Sequence, residues 1–163
     1  MSFTSTGVVI TVGNDPVVPK GMSACKGKYL ANIIQPNIPD DYDTYWNGGT
    51  AENACKWGEI EPTRGEYNWS GADAAYNYVT ERNMIFRYHA ALWASQYPRW
   101  LLELSTEEAK AAIINHMKLI AERFPLTDQI DLLNEQLGNH QRDNQKFREL
   151  LGGQGTTEDD YES

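Results

Sequence analysis

Apolar and polar positions change period several times along the chain, and each change marks an element. The clearest signal is the capping box Ser105-Thr-Glu-Glu108, followed by Ala109, Ala112, Ile113, His116, Met117, Ile120 and Ala121 on one stripe down to Pro125, which predicts a helix. Upstream, Ser70 with Asp73 three positions on is an acidic variant of the same arrangement. Ala74, Ala75, Tyr78 and Val79 give that second helix its apolar face, with an end near Asn83. Two compact apolar runs, Ile85 to Trp93 and Gln129 to Asn134, are predicted strands. Strand, helix, strand with connections too long for a hairpin makes a parallel βαβ unit. Before it, Tyr29 to Ile34 predicts a strand, Asp40 to Trp46 a short helix, and Gly48-Gly49-Thr50 a turn. Glu52 to Trp57 and Glu61 to Trp69 have no clear period and read as shaped loops. Residues 1–24, with an apolar run from Gly7 to Val12, read as a leader holding at most one strand. At the other end a short helix from about Asn144 to Leu151 leads to a Gly152-Gly-Gln-Gly155 turn and an acidic tail, 158–163.

Composition narrows the class. The 163 residues are 40% hydrophobic and 23% charged, which suits a buried core and excludes a disordered acidic chain. The length is well below the roughly 250 residues of a complete eight-unit β/α barrel. A net charge of -9 opposes binding to nucleic acid or an anionic membrane, so neutral ligands are the expected partners. The longest apolar runs fall far short of the roughly 20 residues of a membrane span. Met1 to Gly13 lacks a basic, hydrophobic signal pattern, so a signal peptide is expected to be absent or already removed. Cys25 and Cys55 either form one bridge or stay as free thiols. Histidines at 89, 116 and 140 form no metal-ligand spacing, and neither a P-loop nor a dinucleotide fingerprint is present, so no metal and no cofactor are expected.

In a parallel sheet, ligands sit at the carboxyl ends of the strands, so polar residues that end apolar runs are the candidates for chemistry. Four groups qualify: Glu52 and Asn53 with Lys56 and Trp57; His89 with Trp93; Gln96 with Trp100; and Asn134 with Glu135. Glu135, at the end of a strand, is placed for a half-desolvated general acid or for a solvated loop glutamate. Asn134 suits either a substrate hydroxyl or a local cap. His89 reads as a site residue or a core histidine, and Lys56 as a binding cation or an ordinary ion-pair partner of Glu52. Trp93 and Trp100 offer flat rings for a core or for a ligand.

Taken in chain order, Glu52-Asn-Ala-Cys-Lys-Trp57, Glu61-Pro-Thr-Arg-Gly-Glu-Tyr-Asn-Trp69, His89-Ala-Ala-Leu-Trp-Ala-Ser-Gln96 and Asp131-Leu-Leu-Asn-Glu135 closely resemble the first half of family 10 glycoside hydrolases, the endo-1,4-β-xylanases. The resemblance runs from about Lys28 to Thr157. It implies an α/β fold of the TIM (β/α)8 barrel family, here a partial barrel of about the first four β/α units, with a partial catalytic domain over residues 25–157. It also implies secretion, and xylan or xylo-oligosaccharides as the partner. Glu135 matches the family's general acid/base. Glu52, Asn53, Lys56, His89, Trp93 and Asn134 match residues that line the glycone side of the cleft, with Gln96 and Trp100 near it. Ala90, Ala94 and Gln136 depart from the family pattern, and none of these departures removes the acid/base.

The family's nucleophile ends the seventh strand, and this sequence carries its motifs only to the fourth. Asp131 is no substitute, because four strand residues separate it from Glu135 by roughly 13 Å, beyond the spacing of either kind of glycosidase pair. The expectation is therefore a xylanase-type chain that is inactive alone, with a noncatalytic β-1,4-glycan-binding remnant or an inactive fragment as the alternative. Half a barrel leaves the outer sides of its first and fourth strands open, so self-association through those edges is also expected.

Overall fold

The computed structural model describes residues 20–136 and 141–153. The predicted strand in the leader and the acidic tail lie outside them. Four strands, β1 (Ala31–Ile34), β2 (Gly48–Ala51), β3 (Ile85–Trp93) and β4 (Gln129–Asn134), form one sheet in the order β1-β2-β3-β4. Every pairing is parallel. The helices are α1 (Tyr42–Tyr45), α2 (Trp57–Ile60), α3 (Ser70–Thr80), α4 (Thr106–Arg123) and α5 (Asn144–Leu150), with a 3-10 turn at Arg99–Glu103. Strands alternating with helices in an open parallel sheet make a partial (β/α)4 portion of a TIM-barrel fold, not closed into a barrel.

Gly48-Gly49-Thr50 is not the turn its glycines predict but the body of β2. The glycines are there because the strand is crowded. A Cβ on Gly49 would lie 2.6 Å from Cδ1 of Ile34 and 2.9 Å from Cγ2 of Val79, so β1 and α3 close over a position that only hydrogen can fill. Ser70 is a second correction, since it does not cap α3. It is the first helical residue, and Oδ1 of Asn68 accepts from both its N–H (3.3 Å) and its hydroxyl (2.6 Å). Ser105 does cap α4, accepting from the Glu108 N–H at 3.3 Å while the Glu108 carboxylate returns to the Ser105 N–H at 2.9 Å. The cysteines are both free, Cys25 exposed and Cys55 buried.

Two apolar clusters hold the layers together. One joins the helix-facing side of the sheet to α3 and the end of α4 through Ile34, Val79, Phe86, Tyr88, Ile120 and Phe124. The other packs Trp57, Leu92, Tyr97, Leu101, Ala109 and Phe147 near the carboxyl end of β3. Strand periodicity sorts β3: Phe86 and Tyr88 are buried, whereas Arg87 and His89 face the opposite, open side. There Asp131 of β4 accepts from Nε of Arg87 at 2.9 Å and pairs with Nδ1 of His89 at 2.8 Å. Tyr29 spans the same face to reach Gln129, its hydroxyl 2.5 Å from Oε1. These polar pairs make the uncovered face tolerable to water. Among the described residues, β1 and β4 are the sheet edges, and Ile33, Ile130, Leu132 and Leu133 on them are exposed.

Candidate functional site

Parallel strands bring their carboxyl ends to one rim, and the segments that follow β2, β3 and β4 converge there. After β2 the chain turns at Asn53 and Lys56, whose backbones bond at 2.9 Å, and α2 begins at Trp57. This turn directs Lys56 inward, so its side chain is almost wholly buried. Nζ donates to Oδ1 of Asn53 at 2.9 Å, and Nε2 of Gln96, after β3, reaches the same oxygen at 3.3 Å. The Lys56 ammonium also lies 4.6 Å from the centre of the Trp93 ring, where an aromatic face attracts a cation. Trp93 ends β3 and donates its indole N–H to Oε2 of Glu135 at 2.9 Å. One unbroken path of contacts thus runs from Gln96 through Asn53, Lys56 and Trp93 to Glu135.

Electrostatics reinforce the geometry. Burial lowers the pKa of Lys56 from its ordinary value, and the carboxylates of Glu52, Glu135 and Glu59 pull it back up. A cation held among three acids and one aromatic face is suited to donate hydrogen bonds to a neutral polyhydroxylated ligand. Glu52 is anchored from the other side, its Oε2 accepting from Nε2 of Gln35 at 3.0 Å.

Glu135 is exposed rather than half desolvated, because β4 is an edge strand and no described element covers its far side. Its backbone takes φ of 53°, a left-handed conformation uncommon outside glycine. Two residues that the sequence pattern did not single out hold it there. Gln141 donates its side-chain N–H to Oε2 of Glu135, and Nδ2 of Asn144 donates to the Glu135 carbonyl at 2.9 Å. Neither follows an apolar period, so no sequence signal marks them. Asn144 is fixed by its neighbour Asp143, a buried carboxylate bonded to Lys146 (2.8 Å), the Tyr97 hydroxyl (2.7 Å) and Arg99 (2.8 Å). Those partners, Lys146 foremost, hold the Asp143 carboxyl well below the usual range.

The remaining candidates divide. His89 lies one step deeper, bound to Asp131 with its ring 6.5 Å from that of Trp93. Asn134, half-buried, pairs in register with Trp93 beside Glu135. Trp100 stands apart from the path: its ring meets Trp57 edge-on at 5.8 Å, and its indole donates to the Glu61 carbonyl at 3.1 Å. No cluster of three or more His, Cys, Asp or Glu that could hold a metal is found among the described residues.

Comparison with known proteins gives a consistent result. Residues 20–161 match the family described as Glycosyl hydrolase family 10. Endo-1,4-beta-xylanase B of Cellvibrio japonicus (strain Ueda107) is 36% identical over 115 residues, which cover 70% of this chain and 19% of that protein. A solved GH10 structure from Paenibacillus barcinonensis superposes with a TM-score of 0.69 at 26% identity, covering 82% of this chain and 45% of that one. Xylanase 10B from Thermotoga petrophila RKU-1, solved in complex with xylobiose, gives a TM-score of 0.60 at 27% identity over 68% of this chain and 38% of that one. This chain spans less than half the length of each of these relatives.

Proposed function

The chain belongs to glycosyl hydrolase family 10, and from that premise we propose that its strand-end site is the acid/base half of an endo-1,4-β-xylanase cleft. The observation that carries this reading is the path from Lys56 across Trp93 to Glu135. It supports a sugar held by Glu52, Asn53, Lys56 and Gln96, with His89 and Asn134 at its reacting end and Glu135 beside the scissile bond. In a complete barrel the Glu135 carboxyl gives its proton to the glycosidic oxygen as the C1–O bond breaks. A second carboxylate about 5 to 5.5 Å away forms the new bond to C1. Water then attacks C1 and displaces that carboxylate, breaking its bond to C1, while Glu135 takes a proton from the water, and the configuration is retained.

The family resemblance assigns the second carboxylate to the seventh strand, and the described sheet has four. The 163-residue chain by itself is therefore proposed to bind β-1,4-xylan without cleaving it. Xylan is a polymer too large to cross a membrane, so the working location is extracellular. The test is calorimetric titration with xylotetraose alongside a reducing-end assay on xylan. Binding without product release is expected. Turnover by the isolated chain overturns the division of labour, and absence of binding overturns the site.

A further inference from the structure

Trp100, which the strand-end site does not absorb, floors a second hollow of about 380 Å³ between the 61–69 loop and α4. The loop is firmly built. Glu61 is buried and accepts from the Trp57 indole and from the Gly65 N–H, both at 2.8 Å, and Gly65 takes φ of 84° to make the turn. The Asn68 N–H returns to the Ile60 carbonyl at 2.7 Å, closing the loop. This frame presents Arg64 and Tyr67 outward, and Tyr67 is backed by Trp69, their rings nearly parallel (12°) at 5.8 Å. Across the gap α4 offers Glu108, Ala111, Ala112 and Asn115, whose spacing places them on one helical face. Two alanines in the middle of that face leave the space open.

We propose that this hollow is a second carbohydrate site, separate from the strand-end cleft, which takes a short stretch of a neutral β-1,4-linked pentose chain. The inference rests on the xylan reading for the identity of the sugar. Chemistry and size favour such a ligand over an ion or a lipid. The volume is that of a ligand pocket, and the walls combine two aromatic rings with an amide, a guanidinium and two carboxylates, the Tyr67 hydroxyl bonding the side chains of Glu61 and Asn115. Sugar rings present C–H faces to aromatic side chains and hydroxyls to groups that donate and accept. Glu61 and Glu108 outnumber Arg64 among the charges that line the hollow, which disfavours an anion and leaves a neutral ligand as the easier fit. Arg64 is exposed, with its guanidinium 5.6 Å from the Trp100 ring centre, where it can donate to sugar hydroxyls beside that ring. A polymer held at two places on one chain gains avidity without any new contact in the cleft.

The test is an NMR titration of the tryptophan indole signals with xylohexaose, using the whole chain and three variants. Lys56→Met weakens the cleft about tenfold, equivalent to roughly 1.4 kcal/mol, and Ala111→Arg fills the hollow from an exposed position on α4 without touching the core. The Trp100 signal is expected to shift in the wild type and in Lys56→Met, and to stay still in Ala111→Arg while Trp93 still responds. Arg64→Ala, also at the surface, is expected to weaken the Trp100 response at least threefold. A Trp100 signal that never moves overturns the proposal. So does one that moves only with Trp93 and weakens with it in Lys56→Met. A silent Trp93 with a responsive Trp100 instead overturns the cleft and leaves the second site standing.

Discussion

The Trp93 indole N–H donates to Oε2 of Glu135 at 2.9 Å, while the Lys56 ammonium lies 4.6 Å from the centre of the same ring. One aromatic side chain therefore links the carboxylate to the cation, and it does so across three strand ends. Lys56→Met keeps most of the apolar stem and removes the charge and its hydrogen bond to Asn53. Xylotetraose binding is expected to weaken about tenfold, equivalent to roughly 1.4 kcal/mol. An unchanged dissociation constant in calorimetry would remove Lys56 from the site.

Gly49 is expected to tolerate no side chain. In Gly49→Ala the new methyl meets Ile34 and Val79 well inside contact distance, and both are buried side chains that would have to shift within the core. A loss of about 1 to 2 kcal/mol is expected in urea unfolding, typical of forced overpacking. A midpoint equal to the wild type's would show that β2 is less tightly enclosed than described.

That glycine also shows where sequence reasoning stops. The helix at Ser105 was legible because its cap and stripe are local, and β3 and β4 were legible because their apolar runs are dense. β2 has no such run. Its sequence, Gly-Gly-Thr-Ala, has turn composition, and only the pressure of β1 and α3 makes it a strand. The motifs in chain order single out Glu52, Asn53, Lys56, Trp93, Gln96 and Glu135, and the fold gathers these candidates at one rim. They do not single out Gln141 and Asn144, since their role arises when α5 folds back on Glu135. Trp100 sits within a motif, yet its ring turns toward Trp57 and the 61–69 loop.

His116 supplies a pH test. The ring is buried and stacked on Trp57 at 4.2 Å, and burial pushes its pKa down to about 3 against a weaker opposing pull from the Ala91 backbone. In the unfolded chain the ordinary value is about 6.5. Between these values the unfolded state binds more protons, so stability is full above about pH 6.5 and falls as the solution is acidified. A loss of about 2 kcal/mol is expected between pH 7 and pH 5. His116→Phe keeps the stacking and is expected to flatten that slope. Equal slopes for the two proteins would mean that the ring is not held neutral by burial.

Ile130, Leu132 and Leu133 are exposed on the edge strand β4, at 43%, 54% and 55%. An exposed apolar edge is a template for pairing with another chain. Sedimentation of the purified 163-residue chain is expected to show concentration-dependent self-association, reduced by Leu132→Lys. A monomer at every concentration would show that the edge is protected.

The strand-end site itself is tested most directly by following the Trp93 indole signal during titration of the chain with xylotetraose. Because that N–H rests on Glu135 beneath Lys56, a bound sugar is expected to move it in a saturable way, with Trp57, packed inside, unmoved. A Trp93 signal that stays in place at saturating xylotetraose would contradict the assignment of this rim as a xylan site.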